Sequence, residues 1–240
     1  MAALLTVTGL TKRFGGVAAN RDISFAVEHG EILGVIGPNG AGKTTLFHLI
    51  TGFERPDAGE IRFHGQVIDA LRPDQRNRLG IARTFQILKP FPQMTVEENV
   101  MVGALPRLGR VDAARAEANR CIDLVGLAEK RLARARELST GQRKRLEMAR
   151  AMATRPRLLL LDELTGGVDQ PSIPGLVALV GQLRSEGTTL LVIEHNMRVI
   201  MGLADRIMFL HLGAKLAEGT PQEVANDPRV VEIYLGKAHA

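Results

Sequence analysis

The segment Gly37-Pro38-Asn39-Gly40-Ala41-Gly42-Lys43-Thr44 fits the pattern G-x-x-x-x-G-K-[ST]. The preceding run, Ile32-Leu33-Gly34-Val35-Ile36, is short and apolar, as is typical of a buried parallel strand, and residues 44–50 have helical periodicity. In the order strand, loop, helix, glycine-rich backbone N–H groups and a helix N-terminus can surround phosphate oxygens. The segment therefore predicts a site for a nucleoside triphosphate rather than an ordinary glycine-rich turn.

Each polar residue of this loop has an expected role. Lys43 would reach the β- and γ-phosphates of the nucleoside triphosphate, and the Thr44 hydroxyl would bind a Mg²⁺ ion that bridges them. The other residues predicted to bind the nucleotide are Gly37, Asn39, Gly40, Ala41, Gly42 and Thr45.

Composition excludes several classes of function. The 240 residues are 45% hydrophobic, enough for a globular core, and no apolar stretch approaches the roughly 20 residues of a membrane span. The formal charge is +5, but with one tyrosine and no tryptophan the chain has little material for stacking bases, so no nucleic-acid partner is expected. The six histidines are scattered, which argues against a zinc site.

Cysteine usage and the first residues bear on the compartment. Cys121 is the single cysteine, cannot form an internal disulfide, and is expected to pack in a helix. Residues 1–5 lack the basic and apolar regions of a signal peptide. We therefore expect a cytoplasmic protein.

The pattern along the chain predicts an α/β fold of the P-loop NTPase class: a mixed parallel core sheet, an antiparallel β-layer and an inserted helical subdomain. Predicted antiparallel strands cover residues 5–10, 23–27 and 60–63, buried parallel strands cover 158–161 and 190–193, and helices cover 96–127 and 173–185. A capping box is expected at Thr95 and Glu98. The predicted domains are an ATP-binding core over 1–87 and 155–240, and a helical subdomain over 88–154.

Two carboxylates follow the apolar run Leu158–Leu161, at the strand end where ligands bind in open α/β sheets. Asp162 is expected to hold Mg²⁺ through water, and Glu163 to orient and deprotonate the water that attacks the γ-phosphate. The alternative is a solvated acidic pair. His195, at the end of the second apolar strand, could hydrogen-bond the γ-phosphate, although a lone histidine there is more often structural.

Leu138-Ser139-Thr140-Gly141-Gln142 opens a second helix. Ser139, the Gly141 N–H and the helix dipole could bind another anion. In isolation, Ser139 is more simply interpreted as an N-cap.

The ordered motifs resemble those of ABC-type ATPases over essentially the whole chain. They are the phosphate loop, Gln86 in Arg83-Thr84-Phe85-Gln86, the Ser139 segment, Leu161-Asp162-Glu163, Asp169 and His195. Three segments are similar in sequence to ATP-binding subunits of branched-chain amino-acid importers: Gly80–Gln86, Ile193–Met197 and Glu232–Gly236.

The resemblance implies that two subunits pair head to tail, with the signature motif of each closing over the ATP of the other. It then implies catalytic roles for Glu163, His195 and Gln86, metal binding by Thr44, Gln86 and Asp162, and contacts of Ser139, Gly141 and Gln142 with the partner's γ-phosphate. Asp169 would lie at the dimer seam. Phe14 stands where an aromatic ring commonly stacks on adenine; otherwise it is a small strand-end core residue.

The chain departs from the family pattern at two positions. Leu164, which leads into the Asp169 loop, stands where proline usually follows the catalytic glutamate, and Thr140 differs from the residue commoner at that position of the signature motif.

The resulting expectation is an ATPase subunit that powers solute import, with branched-chain or related amino acids as the expected solutes. The expected partners are itself or a homologous ATPase subunit, membrane-spanning permease subunits docked at Leu88–Met94, and indirectly a solute-binding protein. The subunit would sit peripherally on the inner face of the membrane. The alternatives are a soluble ABC-type scaffold or assembly ATPase, and the ATPase subunit of a lipid or polysaccharide exporter.

Overall fold

The computed structural model describes residues 3–85 and 90–235. The chain forms two compact units: one contains the residues up to Arg76 and those from Thr189 onward, and the other is Asn77–Thr188. The narrower helical subdomain predicted over residues 88–154 stays a prediction.

The strands are β1 Leu5–Phe14, β2 Val17–Val27, β3 Ile32–Ile36, β4 Ala58–Phe63, β5 Gln66–Val67, β6 Ile81–Arg83, β7 Leu158–Asp162, β8 Thr189–Ile193, β9 Arg206–His211 and β10 Ala214–Gly219. The helices are α1 Lys43–Thr51, α2 Pro73–Leu79, α3 Val96–Leu108, α4 Val111–Leu124, α5 Thr140–Met152, α6 Ile173–Ser185, α7 Met197–Leu203, α8 Pro221–Ala225 and α9 Pro228–Leu235.

The first unit contains the predicted antiparallel layer, a four-stranded sheet in the order β2-β1-β4-β5. Leu5 is paired with Val27 on one side and with Phe63 on the other, and all three side chains are buried. Alternation of buried and more exposed residues along β1 gives this sheet one apolar face.

The same unit holds the strand that leads into the phosphate loop. β3 lies between β8 and β9 and is parallel to both, while β10 adds antiparallel to β9. Every residue of β3 and β8 is buried, as expected for strands covered on both faces. The prediction of a parallel core is therefore confirmed here.

In the second unit, β6 pairs in parallel with β7, whose residues are all buried. α3, α4 and α5 pack against one another. The capping box predicted at Thr95 and Glu98 is present at the start of α3. Cys121 is buried in α4, which confirms its predicted packing role.

Among the residues described, no helix is both long and apolar enough to cross a membrane.

Candidate active site

The Gly37–Thr44 loop connects β3 to α1 in the first unit. Gly37 and Gly42 have φ angles of 147° and 98°, in a region that residues with side chains rarely adopt. A Cβ atom at Gly37 would collide with the backbone carbonyl of Leu210, and one at Gly42 with the carbonyl of Ala19. The surrounding backbone therefore admits only glycine at these two positions.

Two elements distant in sequence support the loop. The buried Asn20 of β2 donates from Nδ2 to the Gly42 carbonyl at 3.2 Å. The Gly213 N–H, in the turn between β9 and β10, donates to the Ala41 carbonyl at 3.2 Å. The loop is thus held in shape by its own unit, which lowers the cost of ordering it around a ligand.

The start of α1 fits an anionic ligand. The first N–H groups of any helix lack intrahelical partners, and Gly42, the N-cap of α1, has no side chain that could accept hydrogen bonds from them. Lys43 is only 7% exposed, and its ammonium group donates to the carbonyls of Gly37 and Pro38 at 2.7 and 2.9 Å. The glycine backbone, the helix terminus and this cation match the chemistry of a polyphosphate, and the neighbouring Thr44 side chain is exposed.

Asp162 ends β7 in the second unit and is 1% exposed. Its Oδ2 accepts from Nη2 of Arg83 at 2.9 Å, and its backbone N–H donates to the Thr84 hydroxyl at 3.1 Å. A carboxylate in this position suits a hard cation such as Mg²⁺, as does the hydroxyl of Thr44. The solvated acidic pair considered from sequence is wrong for Asp162, because this carboxylate is buried and ion-paired.

Glu163 follows in an unusual backbone conformation, with a φ of 53°. Its carbonyl accepts from Nζ of Lys144 at 2.9 Å and from the Gly166 N–H at 3.2 Å. Leu164, the residue that replaces proline, is 3% exposed and so is packed in the second unit. The backbone that carries Glu163 is therefore held by two hydrogen bonds and an apolar anchor.

Helix α5 also reaches the segment before Gln86. Glu147 accepts from the Phe85 N–H at 2.8 Å. Burial raises the pKa of the Glu147 carboxyl to about 6, although the Phe85 hydrogen bond and the charges of Lys144 and Arg150 oppose this rise. Lys144 and Glu147 are three residues apart, so one face of α5 contacts both Glu163 and Phe85.

The segment Leu138–Gln142, which the resemblance identifies as the signature motif, contains the N-cap of the same helix. Ser139 and Gln142 form a capping box: the Gln142 N–H donates to the Ser139 hydroxyl at 3.3 Å, and the Ser139 N–H donates to Gln142 Oε1 at 3.0 Å. The N-cap interpretation of Ser139 is confirmed, and binding of a partner's phosphate stays a prediction. Gly141 is buried, whereas Asp169 is exposed and accepts from the Ser172 hydroxyl at 2.9 Å.

Two further predicted residues lie in the first unit. His195 is exposed after β8, and the buried Glu194 carboxylate accepts its backbone N–H at 2.9 Å. Phe14 is 48% exposed, with the Lys12 ammonium 5.3 Å from its ring centroid. The alternative of Phe14 as a core residue is wrong, because it ends β1 beside a hairpin turn that projects it outward; adenine stacking stays a prediction.

Gln86, Leu88 and Lys89 lie outside the described residues. Three contact residues near the predicted site received no role from the sequence: Arg83, Lys144 and Glu147. Arg83 had a sequence signal, a charge directly after the apolar Ile81-Ala82. Lys144 and Glu147 stand in the charged run of α5, and only the structure shows that they lie on its buried face.

Strand β3, the glycine loop and the uncapped start of α1 define a P-loop nucleotide-binding protein. The family model described as "ABC transporter" matches residues 20–166, and the chain belongs to this family of ATPases, which bind and hydrolyse ATP. A second model, "Branched-chain amino acid ATP-binding cassette transporter", matches residues 214–240.

Curated relatives cover nearly the whole chain. The high-affinity branched-chain amino acid transport ATP-binding protein BraF of Pseudomonas aeruginosa is 40% identical, over 98% of this chain and 98% of its own. The LivG protein of Escherichia coli, with the same description, is 39% identical with the same coverage. The lipopolysaccharide export system ATP-binding protein LptB of Acidithiobacillus ferridurans is 38% identical, again over 98% of both chains.

Solved structures share the fold. A nucleotide-free ATP-binding cassette has a TM-score of 0.90 and 31% identity, covering 98% of this chain and 100% of that one. The ADP conformation of the cassette MJ1267 has a TM-score of 0.89 and 31% identity, with 99% and 100% coverage. The dimeric bacterial cassette MJ0796 has a TM-score of 0.82 and 25% identity, with 90% and 98% coverage.

Proposed function

We propose that this ABC-transporter ATPase subunit powers the import of branched-chain or related amino acids through separate permease subunits. The observation that carries the substrate class is the match of residues 214–240 to the branched-chain amino acid model, in addition to the match of residues 20–166 to the general family. The similarity to BraF and LivG supports the same assignment.

The chemical step would use residues that bind the phosphates and residues that act on the attacking water. Lys43 and the N–H groups at the start of α1 bind and orient the phosphates, and Glu163 takes a proton from the attacking water. Gln86 and His195 would contact the water or the γ-phosphate. Thr44, Asp162 and Gln86 would hold Mg²⁺, which when bound neutralises charge that develops on the phosphate oxygens. Phe14 would stack on adenine.

We propose further that the active form is a head-to-tail pair of this chain with itself or with a homologous ATPase subunit. The dimeric structure of the MJ0796 cassette supports a paired active form. In it, Ser139, Gly141 and Gln142 of one subunit would bind the γ-phosphate held by the other, and Asp169 would lie at the seam. Ser139 is suited to this role because its oxygen accepts the capping bond while its O–H can still donate outward.

Docking to a permease would use the segment Leu88–Met94. Within it, Phe91 is 43% exposed, and the buried Asn99 side chain fixes its backbone by hydrogen bonds of 2.8 and 3.0 Å to its N–H and carbonyl. An exposed ring on a rigid backbone suits an apolar contact. Charge reversal at Lys89 should leave nucleotide binding intact and lower the ATPase activity measured with permease in membranes.

One experiment distinguishes amino-acid import from two alternative functions. LptB is nearly as similar as BraF, so lipid export is a specific alternative, and a soluble scaffold ATPase is the other. The experiment expresses tagged chain in its native cells, with Glu163→Gln as a matched variant that traps ATP-bound complexes. Crosslinked complexes are then purified from solubilised membranes and identified by mass spectrometry.

Recovery of multispan permeases together with an amino-acid-binding protein would support the proposal, and uptake of radiolabelled leucine into vesicles that carry the complex would complete it. Recovery of lipopolysaccharide-handling membrane proteins would overturn amino-acid import but keep transport. Recovery of soluble partners alone would overturn transport.

A further inference from the structure

An ion pair connects Asp162, the predicted Mg²⁺ ligand, to the strand that precedes Gln86. Arg83 ends β6 and Asp162 ends β7, and Nη2 of Arg83 lies 2.9 Å from Oδ2 of Asp162. Their side chains are 5% and 2% exposed. Arg83 is paired in register with Leu160, so Asp162 is the next residue on the same face of the parallel ladder.

The residue after Arg83 holds the main chain of the same aspartate. The Thr84 hydroxyl accepts the Asp162 N–H at 3.1 Å, and the Thr84 N–H donates to the Leu160 carbonyl at 2.9 Å. Both the carboxylate and the backbone of Asp162 are therefore fixed by two successive residues. The ion pair restricts rotation of the Asp162 side chain, and the Thr84 hydrogen bonds fix the backbone that carries it.

Stability alone is a weak reason for this arrangement. Burial lowers the pKa of the Arg83 guanidinium, although Asp162 opposes the effect. Removal of this cation from water is therefore energetically unfavourable. Buried ion pairs are often no more stabilising than apolar residues of similar size. What the pair supplies is a fixed direction for one carboxylate.

We propose that Arg83 is a positioning residue for metal binding: it holds Oδ2 of Asp162 so that the carboxylate is preset for the hydrated Mg²⁺ of bound nucleotide. This inference rests on the proposed role of Asp162. Partners that orient a ligand in this way typically contribute about 10- to 100-fold to metal affinity.

The test measures Mn²⁺ binding to the ADP complex of the purified chain, from the free Mn²⁺ signal in electron paramagnetic resonance. Fluorescent ADP is titrated separately without metal. Arg83→Met should weaken Mn²⁺ binding by about 10-fold or more and leave metal-free ADP affinity within about twofold. Arg83→Lys keeps the charge without the planar fork and should recover part of the loss. Arg72→Met removes an exposed arginine whose Nε lies 3.0 Å from Asp74, and should change neither value.

A second comparison separates positioning from folding. Arg83→Met leaves a lone buried carboxylate, whereas the double variant Arg83→Met/Asp162→Asn removes both charges. The double variant should regain thermal stability but not Mn²⁺ affinity. Wild-type Mn²⁺ affinity in Arg83→Met, or in Arg83→Gln if the methionine variant does not fold, would overturn the inference. Wild-type affinity in Asp162→Asn alone would instead overturn the metal role of Asp162 in the proposed function.

Discussion

The ammonium group of Lys144 donates to the backbone carbonyl of Glu163 at 2.9 Å, from a side chain that is 5% exposed. The bond connects α5, which begins at the capping box of Ser139, to the residue proposed to activate water. Because Glu163 has a φ of 53°, its backbone needs external support to remain in that conformation.

We therefore expect Lys144→Met to lower kcat by about 10-fold while changing the KM for ATP little, since the bond orients the base and does not touch nucleotide. Steady-state ATPase assays measure both constants. Lys130→Met, at an exposed position, is the matched control and should behave like wild type. A raised KM with unchanged kcat would contradict a role in orienting Glu163.

Glu163→Gln should bind ATP but hydrolyse it at least ~10²-fold more slowly, because the group that accepts the proton from water is lost. In the proposed pairing, the variant should accumulate as an ATP-bound dimer. Single-turnover hydrolysis and size-exclusion chromatography with ATP test the two statements. Turnover at the wild-type rate would remove Glu163 from the mechanism.

Gly42→Ala should abolish measurable nucleotide binding and lower stability by about 1–3 kcal/mol, because the new Cβ meets the Ala19 carbonyl and the φ of 98° disfavours any side chain. Gly181→Ala is the opposite control. Gly181 is exposed within α6 with no atom near its Cβ position, so alanine there should raise stability by about 0.5–1 kcal/mol. Urea unfolding and fluorescent-nucleotide titration measure these effects, and normal ATP affinity in Gly42→Ala would refute the steric argument.

The raised pKa of the buried Glu147 carboxyl predicts that the stability of the protein depends on pH. Its pKa in the folded protein is raised to about 6 from an ordinary 4.5 by burial, so the protonated form favours the folded state. That contribution is fully present below about pH 4.5 and is lost as the pH rises through about 6, amounting to about 2 kcal/mol.

The glutamine of Glu147→Gln cannot ionise. The free energy of unfolding of this variant should therefore rise relative to that of wild type between about pH 4.5 and 7.5. The readout is the change with pH in the difference between the two unfolding free energies. The exposed Glu129→Gln should show no such change. A difference that stays constant across this range would mean that Glu147 does not titrate there.

Cys121 should be unreactive in the native protein. Its thiol is buried, and burial raises its pKa to about 12, so only about one molecule in 10⁴ carries a thiolate at pH 8. Iodoacetamide labelling followed by intact mass should give no adduct without denaturant and a single adduct in urea. Rapid native labelling would show that α4 opens.

Much of the secondary structure was predictable, and the errors have local causes. β1 runs from Leu5 to Phe14, beyond the predicted end at Leu10, because its pairing with β2 shifts register between Val7 and Leu10 and again after it, which breaks the alternation. α4 ends at Leu124 rather than Leu127, because Gly126, with a φ of 70°, turns the chain.

By itself, the sequence determined the phosphate loop and its flanking strand and helix, the carboxylates at the end of β7 and the capping box at Thr95. These features depend on residue type at fixed short spacing, and such spacing sets the local geometry. Only the tertiary structure decided that Arg83 pairs with Asp162, 79 residues away, and that Lys144 supports Glu163, 19 residues away. It also decided why Gly42 must be glycine, since the obstacle is the carbonyl of Ala19 on another strand. Contacts of this kind depend on which elements pack together, and periodicity along the chain does not encode them.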